Sequence, residues 1–114
     1  MNQSIERTTL SNLVTNEEYC RKVLPFIKPD YFDVKEERVV FEEITNFVEK
    51  YKRIPTKISL EIEVESRKDL TQDQHTKIVE IIQTLDSTDV DMEWLVDTTE
   101  KFCKDKAIYN AIVD

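Results

Sequence analysis

The sequence predicts an all-α fold, a compact multi-helix bundle of about six helices that ends in one long helix. Three observations lead there. Apolar residues recur at the 3.6-residue period in successive stretches along the chain. Capping signals, "TNEE" and "TQDQ", stand immediately before two of those stretches. A single run alternates like a strand, and it has no partner run to pair with.

The first helix is read in "IERTTLSNLV", where Ile5, Thr9, Leu10, Leu13 and Val14 share a stripe. A second begins at "TNEE", with Thr15 and Glu18 as a capping box ahead of Tyr19, Val23 and Leu24. Then comes "LPFIKPDYF", residues 24–32, three aromatics and an isoleucine in a segment broken by two prolines. Pro29 followed by Asp30 is ordinary turn chemistry. Tyr31 and Phe32 are too large and apolar for a solvated turn and are expected to plug the core.

The strongest helix follows. "VKEERVVFEEITNFVEKYKR" aligns Val40, Phe41, Ile44, Phe47, Val48 and Tyr51, with glutamates early and Lys50, Lys52 and Arg53 late, complementing the helix dipole at both ends. Pro55 closes it. "ISLEIEVES" alternates apolar and polar through Ile58, Leu60, Ile62 and Val64, the period of a half-buried strand. A lone strand leaves its ladder unpaired, so composition, helical surroundings and Thr56 as an N-cap favour a helix, with the strand left as the alternative for 58–64.

"TQDQHTKIVEIIQTL" repeats the capping-box scheme through Thr71 and Gln74, with Ile78, Ile81, Ile82 and Leu85 as the stripe. The last helix starts near Asp91 and runs about 36 Å if it continues to residue 114. It reaches Asp114 without a capping glycine or a stop proline, as if cut short. Leu95, Phe102 and Tyr109 recur every seven residues, and Ala107, Ile108, Ala111 and Ile112 add a small and apolar flank. The chain therefore divides into a helical head, 1–90, and the start of a long C-terminal helix or hairpin, 91–114. The expected core is Leu10, Leu13, Tyr31, Phe32, Phe41, Ile44, Phe47, Ile78, Ile82 and Leu85. Phe102, Tyr109 and Ile112 are the expected self-association residues.

Composition narrows the function. No apolar run approaches the ~20 residues of a spanning helix, and the start lacks a signal-peptide core, so a cytoplasmic protein with no membrane contact is expected. Glycine is absent altogether, which removes the phosphate cradles that depend on it, the P-loop and the dinucleotide turn. The one histidine, His75, sits at the edge of an apolar stripe with no neighbour spaced for zinc or for nucleophilic catalysis. Asp89, Asp91 and Glu93 in "DVDME" lack the glycine turn of a calcium loop and suit a helix N-terminus better than a metal. Cys20 and Cys103 have no metal-type spacing and read as reduced, partly buried thiols. No catalytic, cofactor or metal residues are assigned.

In order and spacing, "IERTTLSNLV", "VLPFIKPDYF" and "EERVVFEEITNFVEKYKRIPT" resemble the amino-terminal domain of DnaB-type replicative helicases, most closely the version of T-even-like tailed phages. The matching positions are Glu6, Leu10 and Leu13, then Asp30, Tyr31 and Phe32, then Arg38, Phe41, Ile44 and Phe47, then Ile54 and Pro55. The chain departs from bacterial members at Ser11 and at Lys52 or Arg53, where glycine is usual, and at Glu37, where histidine is frequent. The resemblance implies a non-catalytic module that forms a collar over a hexameric motor, associates in pairs through a helical hairpin and contributes to the contact with primase. It also implies that the ATP site and its magnesium lie in a RecA-like motor domain outside this sequence. If phage-encoded, the protein would act in the cytoplasm of an infected bacterium.

Charge points the same way. A net charge of −8 repels nucleic acid. The one basic cluster, Lys50, Lys52, Arg53 and Lys57, is the candidate for any nucleic-acid contact. A small helix-turn-helix regulator is the alternative, but its recognition helix should open with Arg, Lys, Asn or Gln, and these helices open with acids.

Overall fold

The computed structural model describes residues 4–113. Six α-helices carry them, with no strand among the described residues: α1 (Ile5–Thr15), α2 (Glu17–Val23), α3 (Lys35–Tyr51), α4 (Lys57–Glu65), α5 (Gln72–Gln83) and α6 (Met92–Val113). Two short 3₁₀ turns, Leu24–Phe26 and Pro29–Tyr31, link α2 to α3.

Local chemistry sets most boundaries. Ser4 caps α1 by accepting from the Arg7 N–H at 3.1 Å. The cap of α2 is Asn16 and not Thr15: Asn16 Oδ1 accepts from the Tyr19 N–H at 3.0 Å, while the Thr15 hydroxyl donates back to the Ser11 carbonyl at 2.8 Å and stays in α1. Thr71 and Gln74 form the expected capping box of α5, and Thr56 forms a second with Ser59 at the start of α4. α3 ends at Tyr51, before Pro55 is reached, because Lys52 turns into the left-handed region at φ 59° with its N–H donating to the Val48 carbonyl.

Residues 58–64 are helical. Their alternation comes from two pairs on opposite sides of α4: Leu60 and Val64 are buried, while Ile58 and Ile62, displaced by two residues or about 200° around the axis, face solvent.

The core gathers Leu10, Leu13, Tyr19, Val23, Tyr31, Phe32, Val40, Phe41, Ile44, Leu60, Ile78, Ile82, Leu85, Leu95 and Phe102. At its centre the Phe32 ring lies 5.2 Å from Phe41 and 6.2 Å, edge-on, from Phe102. Arg38 holds the loop that delivers Phe32, donating to the carbonyls of Phe32 at 3.1 Å and Asp33 at 3.2 Å. In this chain an arginine three residues before Phe41 therefore fixes the backbone of the ring that Phe41 packs on.

Two assignments need correction. Phe47 is half-buried and leaves the core to pair with Tyr51 at 4.7 Å, because it lies toward the open end of α3. Phe102 is only 8% exposed and belongs to the head's own core through Phe32.

The head accordingly draws its interior from both sides of residue 90. α6 contributes Leu95, Thr99, Phe102 and Cys103, and the Tyr19 hydroxyl ties α2 to it through Thr99 Oγ1 at 2.6 Å. Thr99 already donates to the Leu95 carbonyl, so Tyr19 is the donor in that bond. At 22 residues α6 is about 33 Å long, equal to the 33–34 Å extents of the molecule, so it lies along the globule instead of projecting from it.

Polar latches close the remaining seams. Arg7 joins α1 to Glu37 of α3 at 3.2 Å and to Thr84 after α5 at 3.3 Å. Arg67 reaches Glu42 and Glu43 of α3 and Asp69 of its own loop, and its hydrogen bonds lower the exposed Asp69 carboxyl to about 2. Asn12 donates to Thr88 at 2.9 Å, fixing the segment that leads into α6.

Candidate functional site

The described residues present surfaces, and each has a local cause. Beyond Cys103 the apolar side chains of α6 turn outward: Tyr109 is 59% exposed and Ile112 77%, with Ile108 and Val113 beside them. The buried row of α6, Leu95, Thr99, Phe102 and Cys103, stops one turn earlier, so the same helix is a core element in its first half and a free apolar face in its second. Of the three proposed self-association residues, two lie on that face and Phe102 does not.

Two polar contacts hold the second half down. Lys106 Nζ reaches both carboxylate oxygens of Asp33 at 2.7 Å, and Asn110 donates to the Asp30 carbonyl at 3.3 Å. Grooves flank the helix on either side. One of about 460 Å³ runs past Ile5, Thr98 and Tyr109, and one of about 380 Å³ lies between Phe26 and Ala107. Phe26, 62% exposed, is the one aromatic of the 24–32 segment that stays outside.

The basic cluster does not act as one patch. Lys57 opens α4 and turns toward the end of α5, bonding Asp86 at 2.6 Å and the Gln83 carbonyl at 3.0 Å. Lys50 and Arg53 lie over the Tyr51 ring at 5.3 and 5.6 Å. Lys52 and Arg53 line a third groove, of about 400 Å³, between α2 and the end of α3.

Asp91 accepts from the Trp94 N–H at 2.9 Å, which makes it the cap of α6. His75 is half-buried beside Glu61, Glu65 and Glu80. Burial pushes both free thiols, Cys20 and Cys103, up to about 11, so neither is a ready nucleophile. No group of three or more His, Cys, Asp or Glu able to hold a metal ion occurs among the described residues, and no helix among them is long and apolar enough to cross a membrane.

Sequence reasoning missed three outward residues. Phe26 was hidden by its neighbours Tyr31 and Phe32, Trp94 stands on the exposed side of the first turn of α6, and Arg21, in α2 and far from Lys50–Arg53 in sequence, lines the same groove as Lys52 and Arg53.

The chain, six helices with no catalytic or metal cluster among the described residues, belongs to the family of DnaB-like helicase N-terminal domains, whose model matches residues 1–97. Among individual proteins it is similar to the DnaB-like replicative helicase of Enterobacteria phage T4, with 28% identity over 102 residues. That match covers 90% of this chain and 21% of the phage helicase, so the chain spans about a fifth of its relative's length.

Proposed function

We propose that this domain is the non-catalytic head of a hexameric replicative DNA helicase, serving to assemble the collar of the ring and to dock primase or other replisome proteins. The observation that supports it is the family membership along residues 1–97. In this reading the first half of α6 completes the head begun by residues 1–90, and the exposed turns beyond Cys103 begin the hairpin through which heads pair. ATP, magnesium and the unwinding chemistry belong to the motor domain of the parent protein. The head carries no cofactor, makes little direct contact with DNA, and works in the cytoplasm of the bacterial cell, an infected one if the gene is a phage's.

Calorimetric titration of this chain with the primase of the same genome, with single-stranded DNA as the parallel titrant, tests the docking role. Saturable binding of primase and none of DNA is expected. Binding of DNA alone, or of neither, overturns it. For assembly, Tyr109→Asp with Ile112→Asp in the full-length helicase should leave the melting temperature of the head unchanged and weaken ring formation in analytical ultracentrifugation, since both side chains are exposed.

A further inference from the structure

The groove between α2 and the end of α3 combines two properties that call for different kinds of partner atom. Its floor is apolar, made by Leu24, Val48 and Ile54, whose inner sides rest on the core. Its rim carries Arg21, Lys52 and Arg53 against two carboxylates, Glu17 and Glu49. Acids outnumber bases by 24 to 16 in the chain as a whole, so this rim inverts the balance of the molecule. None of its three cations has a carboxylate within ion-pair distance among the described residues, although eight other ion pairs form there.

A second observation falls at the same place. Lys52 is the one described residue with positive φ, at 59°. A glycine would take that conformation without strain. The fold instead keeps a lysine there, and the lysine stands on the groove rim.

From this floor and rim we infer that the α2–α3 groove receives an acidic amphipathic helical segment of a partner protein, with two apolar side chains one turn apart entering the floor and flanking carboxylates meeting Arg21, Lys52 and Arg53. A groove of about 400 Å³ has the size to take such anchors. Single-stranded nucleic acid would meet the three cations, but it would leave an aliphatic floor with no aromatic to stack on and would face the repulsion of a chain carrying −8. The acidic helix satisfies floor and rim together, and the complementary charge speeds and orients its approach. The inference rests on the docking role proposed above and gives it a location and a partner chemistry.

The test uses the ¹⁵N-labelled chain and a synthetic helical peptide with two leucines four positions apart flanked by glutamates. Controls are a twin with lysine at every glutamate and an oligothymidine. The acidic peptide should shift the amides of Cys20, Leu24, Val48 and Ile54, and the lysine twin should bind about ten-fold more weakly. Arg21→Glu with Arg53→Glu should lower the acidic peptide's affinity by a similar factor while far-UV circular dichroism stays unchanged. Lys52→Gly should weaken binding while leaving the fold at least as stable.

Equal binding of the twin, shifts confined to other faces, or shifts produced only by the oligothymidine would overturn the assignment. Titrating primase into the Arg21→Glu/Arg53→Glu variant separates the two readings. Undiminished primase binding with no seated acidic peptide leaves docking standing and removes the groove, whereas a seated acidic peptide without any primase binding supports the groove and removes primase as its occupant.

Discussion

Replacing Phe32 with alanine tests the architecture most directly, because the side chain is wholly buried and touches both the longest interior helix and α6. Losing a buried phenylalanine forfeits roughly 1.5–3 kcal/mol of transfer free energy. The two ring contacts, to Phe41 and Phe102, add about 0.5–1.5 kcal/mol each. The sum, about 2.5–6 kcal/mol, is centred on the general cost of Phe→Ala in a packed core, about 3–5 kcal/mol, which is the range expected here. For a chain of 114 residues the unfolding entropy is roughly 0.24 kcal/mol per degree, so the melting temperature should fall by about 12–20 °C. Thermal and urea melts followed by far-UV circular dichroism measure this. Phe41→Ala should cost a similar amount. Phe26→Ala, from the same loop but exposed, should change stability by less than about 0.5 kcal/mol. A Phe32→Ala melt within a few degrees of the parent, or one equal to Phe26→Ala, would refute the loop-plug account.

Four further outcomes are expected. Lys52→Gly should raise stability by about 0.5 kcal/mol, since relief of ~1–2 kcal/mol of left-handed strain exceeds the added freedom of glycine in the unfolded chain; a lower urea midpoint contradicts it. Tyr19→Phe should cost about 1 kcal/mol by deleting the bond to Thr99, and an unchanged melt would mean that bond contributes nothing. Burial, opposed by the Arg7 hydrogen bond, raises the Glu37 carboxyl above the ordinary carboxylate range. Its stabilising contribution is therefore complete below the unfolded value and is lost as pH rises through the native one, so Glu37→Gln should gain on the parent as urea midpoints are followed upward from pH 4; a difference that does not vary with pH contradicts the assignment. Cys20 and Cys103, both raised to about 11 by burial, should react with Ellman's reagent at neutral pH far more slowly in the native protein than in urea, and equal rates would show that they are accessible.

Much of the fold was legible because its signals are local. The Thr71–Gln74 box needs only four residues, and the stripe of α5 repeats at one period. The exceptions are informative. At the α1–α2 junction two adjacent residues, Thr15 and Asn16, are both competent caps; the Thr15 hydroxyl bonds back to the Ser11 carbonyl within α1, and Asn16 takes the cap. In α4, a nine-residue segment with apolar residues two apart contains both a strand period and two helical pairs, and pattern alone does not separate them. Phe47 and Phe102 share a cause: periodicity gives the face on which a residue lies but not how far neighbouring helices extend along it. The surface was the least legible part. Arg21 comes beside Lys52 and Arg53 only when α2 folds back against the end of α3, and nothing local announces that meeting.

The segment from Asp30 to Asp33 has a mechanical meaning. Phe32 is seated in the core, while Asp33 and the Asp30 carbonyl on either side of it grip Lys106 and Asn110 of α6. A load applied to the outer turns of α6 is thus handed to the residues that brace the plug, and the loop behaves as a fulcrum between a stiff lever and its housing. Angular error is then the sensitive quantity. One residue inserted between Cys103 and Lys106 would rotate Tyr109 and Ile112 by about 100° about the axis while leaving every buried side chain before it in place. The chain length between core and fulcrum thereby dictates the direction in which the head presents itself to whatever lies beside it.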